Sequence, residues 1–285
     1  MSDRYFGEVL KNGKEHLVKA GNDNAGQEVL WMLSHVTCVS VSEIKLNKDK
    51  CLSTQEYESF QTYVTQRGSG IPLSRVLGVQ EFWGLEFELN NATLDPRQDT
   101  ELIPELVSQK FGTDFDGTFL DLGTGSGCIA LSILSELPKA RAVGIDISYD
   151  AACQARKNAV TNNLSDRFCA ITGRWFEAIS GKYPLIVTNP PYIPGQDIKS
   201  LDRTVKNYDP IPALDGGTDG LESVRQILNN LKKYLLPSGL AFMEIGHKQS
   251  DDVIRLIEKS GLRAYDVHLD IAGIPRVVEI SYGDK

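Results

Sequence analysis

Residues 119–131 read "FLDLGTGSGCIAL". An apolar run stops at Gly123, glycines alternate through Gly125 and Gly127, and a second apolar run starts at Cys128. A short apolar run closed by glycine reads as a buried strand, and the longer run after it reads as a helix. Glycine lets a backbone turn tightly and lets a ligand approach it closely. The stretch therefore predicts a strand, a loop and a helix. The dinucleotide fingerprint G-x-G-x-x-G fails here, because its third glycine position is Cys128. A bare strand–helix turn is the plainer alternative.

Working outward, strands and helices alternate from Thr118 to the C-terminus. "RAVGIDIS" (141–148), "RFCAIT" (167–172), "PLIVTN" (184–189) and "GLAFMEIG" (239–246) read as strands. "YDAACQARKNAVTNN" (149–163), "SVRQILNNLKKYL" (223–235) and "KQSDDVIRLIEKSG" (248–261) read as helices. "AYDVHLD" and "RVVEISY" follow with a short connection and should form a hairpin at or near one sheet edge. This is the pattern of an α/β fold with a largely parallel sheet. Residues 193–220 break it: they show no period and contain Pro194, Pro210, Pro212 and "LDGGTDG". So long a loop at the C-terminal end of a parallel strand is a functional candidate.

The first seventy or so residues read as roughly four helices, one opened by Asn24 as a cap and one by a Ser53–Glu56 capping box. "GVQEFWGLEFELN" (78–90) reads as a hairpin turning at Trp83-Gly84. The expected domains are a helical unit at 1–74, a hairpin linker at 75–95 and an α/β unit at 96–285.

The 285 residues suffice for one large or two smaller cores. A net charge of −8 argues against the phosphate backbone of nucleic acid as the main partner. Five cysteines without a C-x-x-C spacing argue against a disulfide framework or a zinc site; buried thiols in a reducing compartment are expected. No apolar stretch has signal-peptide or transmembrane character, so the expected location is cytoplasmic, with no membrane partner.

Three features carry chemistry. The pattern G-x-G-x-G behind Asp121 is the usual one for S-adenosyl-L-methionine, a cofactor without a pyrophosphate. Asp146 ends the next strand, where an acid can accept both ribose hydroxyls. "VTNPPYIP" (187–194) stops a strand on adjacent prolines, which cannot donate to a ladder. There the Asn189 side chain and the Pro190 carbonyl offer two acceptors, and Pro191 stiffens the backbone. Two fixed acceptors suit a planar –NH₂ group, and the ring of Tyr192 can pack on its plane. Such a nitrogen is a poor nucleophile, so positioning would do most of the catalysis.

Together these motifs resemble the bacterial release-factor glutamine methyltransferases, over nearly the whole chain beyond the helical bundle. "GVQEFWGLEFELNNATLDPRQDTELI", "DLGTGSGCIAL", "GIDIS", "NPPYIP", "ALDGGTDGL", "EIG" and "DIAGIPRVV" follow in the family's order. The resemblance implies a class I S-adenosylmethionine-dependent methyltransferase: a Rossmann-like, seven-stranded, mostly parallel sheet with an N-terminal helical bundle. It implies methylation of the GGQ glutamine of class 1 peptide chain release factors, gripped in part by the helical domain. It places Gly123, Thr124, Gly125, Ser126 and Gly127 along the cofactor, with Asp146 on the ribose and Trp175 beside the adenine. Asn189, Pro190, Pro191 and Tyr192 hold the glutamine amide, Asn189 also bordering the cofactor, and Arg97, Thr100 and Glu101 lie at the pocket lip. Two positions depart from the family pattern: Gln98 stands where proline is usual, and Arg174 where an acid often precedes the tryptophan. Rival readings are methylation of a ribosomal-protein glutamine, methylation of a nucleic-acid adenine amine, and a non-catalytic adaptor that reuses the pocket.

Overall fold

A computed structural model describes residues 4–282. The chain divides into two units, Met1–Gly78 and Val79–Lys285. The first contains α1 (Phe6–Lys19), α2 (Ala25–Thr37), α3 (Val41–Leu46), α4 (Thr54–Gly68) and α5 (Leu73–Leu77). Their apolar stripes meet in a core that includes Phe6, Val9, Leu17, Met32, Leu33, Ile44 and Phe60. The Ser53–Glu56 capping box forms at α4. Asn24 precedes α2 but makes no side-chain cap bond; its backbone (φ −99, ψ 15) lies outside the extended region that N-caps usually adopt.

The second unit opens with a hairpin, β1 (Val79–Phe82) and β2 (Leu85–Glu88). Trp83 and Gly84 both take positive φ at its turn, as the twist of a two-residue hairpin requires. Then come α6 (Leu102–Phe111), β3 (Thr118–Leu122), α7 (Cys128–Glu136), β4 (Arg141–Asp146), α8 (Tyr149–Thr161), β5 (Phe168–Thr172) and β6 (Tyr183–Thr188). The chain ends with α9 (Arg203–Tyr208), α10 (Ile211–Leu214), α11 (Glu222–Tyr234), β7 (Leu235–Glu244), α12 (Ser250–Lys259), β8 (Leu262–Leu269) and β9 (Pro275–Tyr282). Seven strands form one sheet in the order β5-β4-β3-β6-β7-β9-β8. Pairs from β5 through β7 are parallel, and β9 runs antiparallel to both its neighbours. Apolar layers cover both faces, one around Phe119, Ile133 and Val187, the other around Leu120, Ile186 and Ile227.

The hairpin expected within residues 75–95 forms, and it packs within the second unit. Phe82 and Phe87 are buried in the core of the second unit with Phe119 and Ile129, their rings edge to face. Asn158, itself buried in α8, holds the end of β2 by bonding both the N–H and the carbonyl of Glu88. Strand β7 begins at Leu235, ahead of the expected start near Gly239. Residues 193–220 hold a 3₁₀ turn, α9 and α10, and are stitched by a bridge between Ile193 and Asp215. These helices are too short to show an apolar stripe in the sequence. The cysteines are free, but Cys38, Cys51 and Cys169 are exposed rather than buried. Cys169 lies on the edge strand β5, where alternate side chains face outward. Among the described residues no helix is long and apolar enough to cross a membrane.

Candidate active site

The strand order reverses between β3 and β6. From β3 the chain proceeds outward to β4 and β5, then returns to place β6 on the other side of β3. In parallel α/β sheets the crevice at such a reversal, at the C-terminal strand ends, is where ligands bind. Leu122 and Thr188 are register partners, and the Thr188 hydroxyl donates to the Leu122 carbonyl at 2.8 Å. The next residues are Gly123 and Asn189. Two motifs 66 positions apart therefore leave the sheet side by side.

The glycine loop is held from beneath. Thr124 Oγ1 donates to the fully buried Asp121 carboxylate at 2.7 Å. Burial raises the Asp121 pKa to about 7. The buried Asn158 donates to the Ser126 carbonyl at 2.8 Å, so one side chain ties the loop to the hairpin. Thr124 and Ser126 thus point inward. Gly127 is a packing glycine: a Cβ there would press on Ala155 and Leu131. Gly123 and Gly125 face the other way. Both take positive φ, and added Cβ atoms would stand 3.7 Å from the Trp175 ring and in nearly open space, respectively.

Gly123 and Gly125 border a cavity of about 540 Å³. That volume suits a ligand of nucleoside size or somewhat larger. Asp146 lines it from the end of β4. Its Oδ2 accepts from the Gly125 N–H at 2.9 Å and its Oδ1 from the Ser148 N–H at 2.9 Å. Burial, the larger effect, raises its pKa, and these two bonds oppose the rise. It does not cap α8; the Ser148 side chain does. Trp175 lines the cavity beside Gly123 and donates Nε1–H to Gln226 Oε1 at 2.9 Å. Arg174 donates to the same oxygen at 3.1 Å. The aperiodic segment 193–220 supplies one further wall through Pro210, Pro212 and Ala213 around α10, and Asn91, Ala92 and Leu94 beyond the hairpin form another that no local pattern marked. These residues fit S-adenosyl-L-methionine: backbone that a Cβ would obstruct, an acid at the strand end and an indole wall.

At the mouth of β6, Asn189 and Pro191 line the cavity, while Pro190 is buried behind them. Asn189 Nδ2 donates to Thr100 Oγ1 at 3.3 Å. With that nitrogen engaged, Oδ1 is the atom left for an incoming donor. The Tyr192 hydroxyl donates to Glu244 Oε1 at 3.4 Å. Burial and then the Glu244 charge raise the Tyr192 pKa well above that of an ordinary phenol, so it is no base near neutrality. The three residues expected at the lip separate. Thr100 meets Asn189. Arg97 instead pairs with Asp209 at 2.7 Å, tying residue 97 to the segment after β6. Glu101 turns away and accepts the Trp83 N–H of the hairpin turn at 2.8 Å. Gln98 simply opens the 3₁₀ turn Gln98–Glu101.

Gln249 fastens the segment from the other side. Its Nε2 donates to the carbonyls of Tyr192 and Gly220, and its Oε1 accepts from the Gly246 N–H. Gly220 has φ +76, and a Cβ there would fall 2.4 Å from the Tyr192 carbonyl oxygen. Gly220→Ala should cost about 1–2 kcal/mol from its left-handed backbone alone. The clash would also push Tyr192 out of place. We expect a lower melting temperature and a larger loss in kcat than in cofactor affinity, measured by thermal unfolding and steady-state kinetics.

Two family models match the chain: "PrmC N-terminal domain" over residues 8–78 and "Methyltransferase small domain" over residues 99–206. The release factor glutamine methyltransferase of Rhodospirillum rubrum is 37% identical over 95% of this chain and 83% of its own length. That of Agrobacterium fabrum is 36% identical over 93% of each chain. Among solved structures, the hMettl16 catalytic domain in complex with the MAT2A 3'UTR hairpin 6 aligns with a TM-score of 0.58 at 19% identity. It covers 81% of this chain and 82% of that one, a likeness of fold alone. With relatives this similar along nearly all of both chains, the chain belongs to the release factor glutamine methyltransferase family and is an S-adenosyl-L-methionine-dependent methyltransferase.

Proposed function

We propose that the chain methylates the side-chain amide nitrogen of the glutamine in the GGQ motif of class 1 peptide chain release factors, in the cytoplasm. The observation that carries this reading is Asn189. It leaves β6 beside the glycine loop, with Nδ2 held by Thr100 and Oδ1 available to an amide hydrogen. The names of the relatives supply the acceptor protein.

In this reading Asn189 Oδ1 and the Pro190 carbonyl each accept one hydrogen of the glutamine –NH₂. That fixes the nitrogen and aims its lone pair toward the cavity. Tyr192, held as a neutral phenol, packs on the amide plane. Bound S-adenosyl-L-methionine supplies the electrophilic methyl group. The glutamine nitrogen, held by these two acceptors, would take that methyl group and give up one amide proton to water. The methylated nitrogen is acidic at that moment, so no strong general base is needed. Asp146 takes the ribose hydroxyls, Trp175 flanks the adenine, and Gly123 and Gly125 let the cofactor lie against bare backbone. The helical unit helps grip the protein substrate, because one glutamine is too small to confer specificity.

Arg174 replaces the usual acid, and in this reading neighbouring backbone accepts from the adenine amino group in its place. Arg174→Asp should then change cofactor Kd by less than about tenfold, the span of one modest hydrogen bond. Calorimetric titration checks this. The function itself is tested by counting labelled methyl groups transferred to a class 1 release factor, a ribosomal protein and adenine-containing DNA. Transfer confined to the release factor supports the reading, and transfer to either other substrate favours its rival.

A further inference from the structure

A carboxamide presents its oxygen or its nitrogen with nearly equal ease, and a lone threonine hydroxyl accepts from one or donates to the other. Thr100 on its own therefore does not choose. Only the orientation with Oδ1 turned to the substrate can receive an amide N–H; the flipped one would set donor against donor.

Something must claim the Thr100 proton, and Glu244 is placed to do so. It ends β7, whose Met243 is the register partner of Thr188, so Glu244 stands level with Asn189 one strand away. Its side chain is 2% exposed, and Oε2 is buried without a partner atom. The Tyr192 hydroxyl donates to Oε1 at 3.4 Å, and Thr100 lies near enough to favour the charged carboxylate. An anionic acceptor takes protons and offers none.

We propose that Thr100 and Glu244 are positioning residues that set the orientation of the Asn189 carboxamide. Glu244 draws the Thr100 proton to itself, which turns a Thr100 lone pair toward Asn189 Nδ2 and leaves Oδ1 facing the substrate amide. The same carboxylate fixes the Tyr192 hydroxyl. The proposal rests on the functional reading above and deepens it. Other charged or titratable groups act on Glu244: Arg276 of β9, Asp99 of the 3₁₀ turn, Tyr192, and Cys128 at the start of α7. Arg276 favours the charged form, Asp99 opposes it, and burial is the largest effect, raising the pKa to about 7. The device is complete once Glu244 is ionised, so the rate should rise with pH through neutrality.

The test compares wild type with Thr100→Val, Thr100→Ser and Glu244→Gln. Thr100→Val keeps the shape and loses the hydroxyl. Its kcat should fall roughly 10- to 100-fold, the effect of one charge-linked hydrogen bond, with cofactor Kd within about twofold. Thr100→Ser restores the hydroxyl and should recover most of the rate. Glu244→Gln should flatten the rise of kcat with pH. A readout independent of turnover is hydrogen exchange at the Asn189 side-chain –NH₂, followed by NMR. It should be slow in wild type and Thr100→Ser, and fast in Thr100→Val. Equal exchange in wild type and Thr100→Val overturns the proposal, as does wild-type kcat in Thr100→Val. Slow wild-type exchange without transfer to any glutamine would instead sink the functional reading and leave the positioning role standing.

Discussion

Asn189→Ala should lower kcat by roughly 10²- to 10³-fold, the loss seen when one oriented polar group is removed from a transition state. Truncation removes Oδ1, the fixed acceptor that orients the substrate amide. It removes no bond that holds Asp146 or Trp175, whose partners are Gly125 and Gln226. Cofactor Kd should therefore change little. Strand β6 ends in register with β3 whatever residue occupies position 189, so the fold should persist. Single-turnover kinetics with a release factor, beside calorimetry for the cofactor, separates the two quantities. A variant that keeps its rate contradicts the mechanism.

Asp146→Ala should show the converse. Its two carboxylate oxygens accept from the Gly125 and Ser148 N–H groups. Removing it loosens the glycine loop and takes away the acceptor proposed for the ribose. Two hydrogen bonds to a charged group, at about 1.5–3 kcal/mol each, correspond to at least a 100-fold weaker cofactor Kd. Saturating cofactor should then recover part of kcat, which no cofactor concentration would do for Asn189→Ala. A Kd within about threefold of wild type would show that the loop is held elsewhere and that the acid is not a ligand.

Those parts of the site that are continuous in the sequence could be read there. Gly123 to Gly127 with their strand and helix, Asp146 at the end of the next strand, and the prolines that stop β6 are all local patterns. Parallel register then places them at one sheet edge without further information. The rest depends on partners far apart in sequence. Asn158 looks like any polar residue on a helix, yet it joins Glu88 to Ser126. Glu101 and Thr100 are adjacent in the chain, but one turns to the hairpin and the other to Asn189. The same hairpin gave little sign of its packing because each of its strands is only four residues long; its two phenylalanines gain their burial from helices and strands much later in the chain.

In the proposed reaction the acceptor is a glutamine side-chain amide. Tandem mass spectrometry of a class 1 release factor, incubated with the wild-type protein and isotope-labelled S-adenosyl-L-methionine, tests it most directly. A single labelled methyl group is expected on the amide nitrogen of the GGQ glutamine, and none when Asn189→Ala replaces the wild type. A label on any other residue, or an unmodified glutamine beside an enzyme that binds its cofactor, would contradict it.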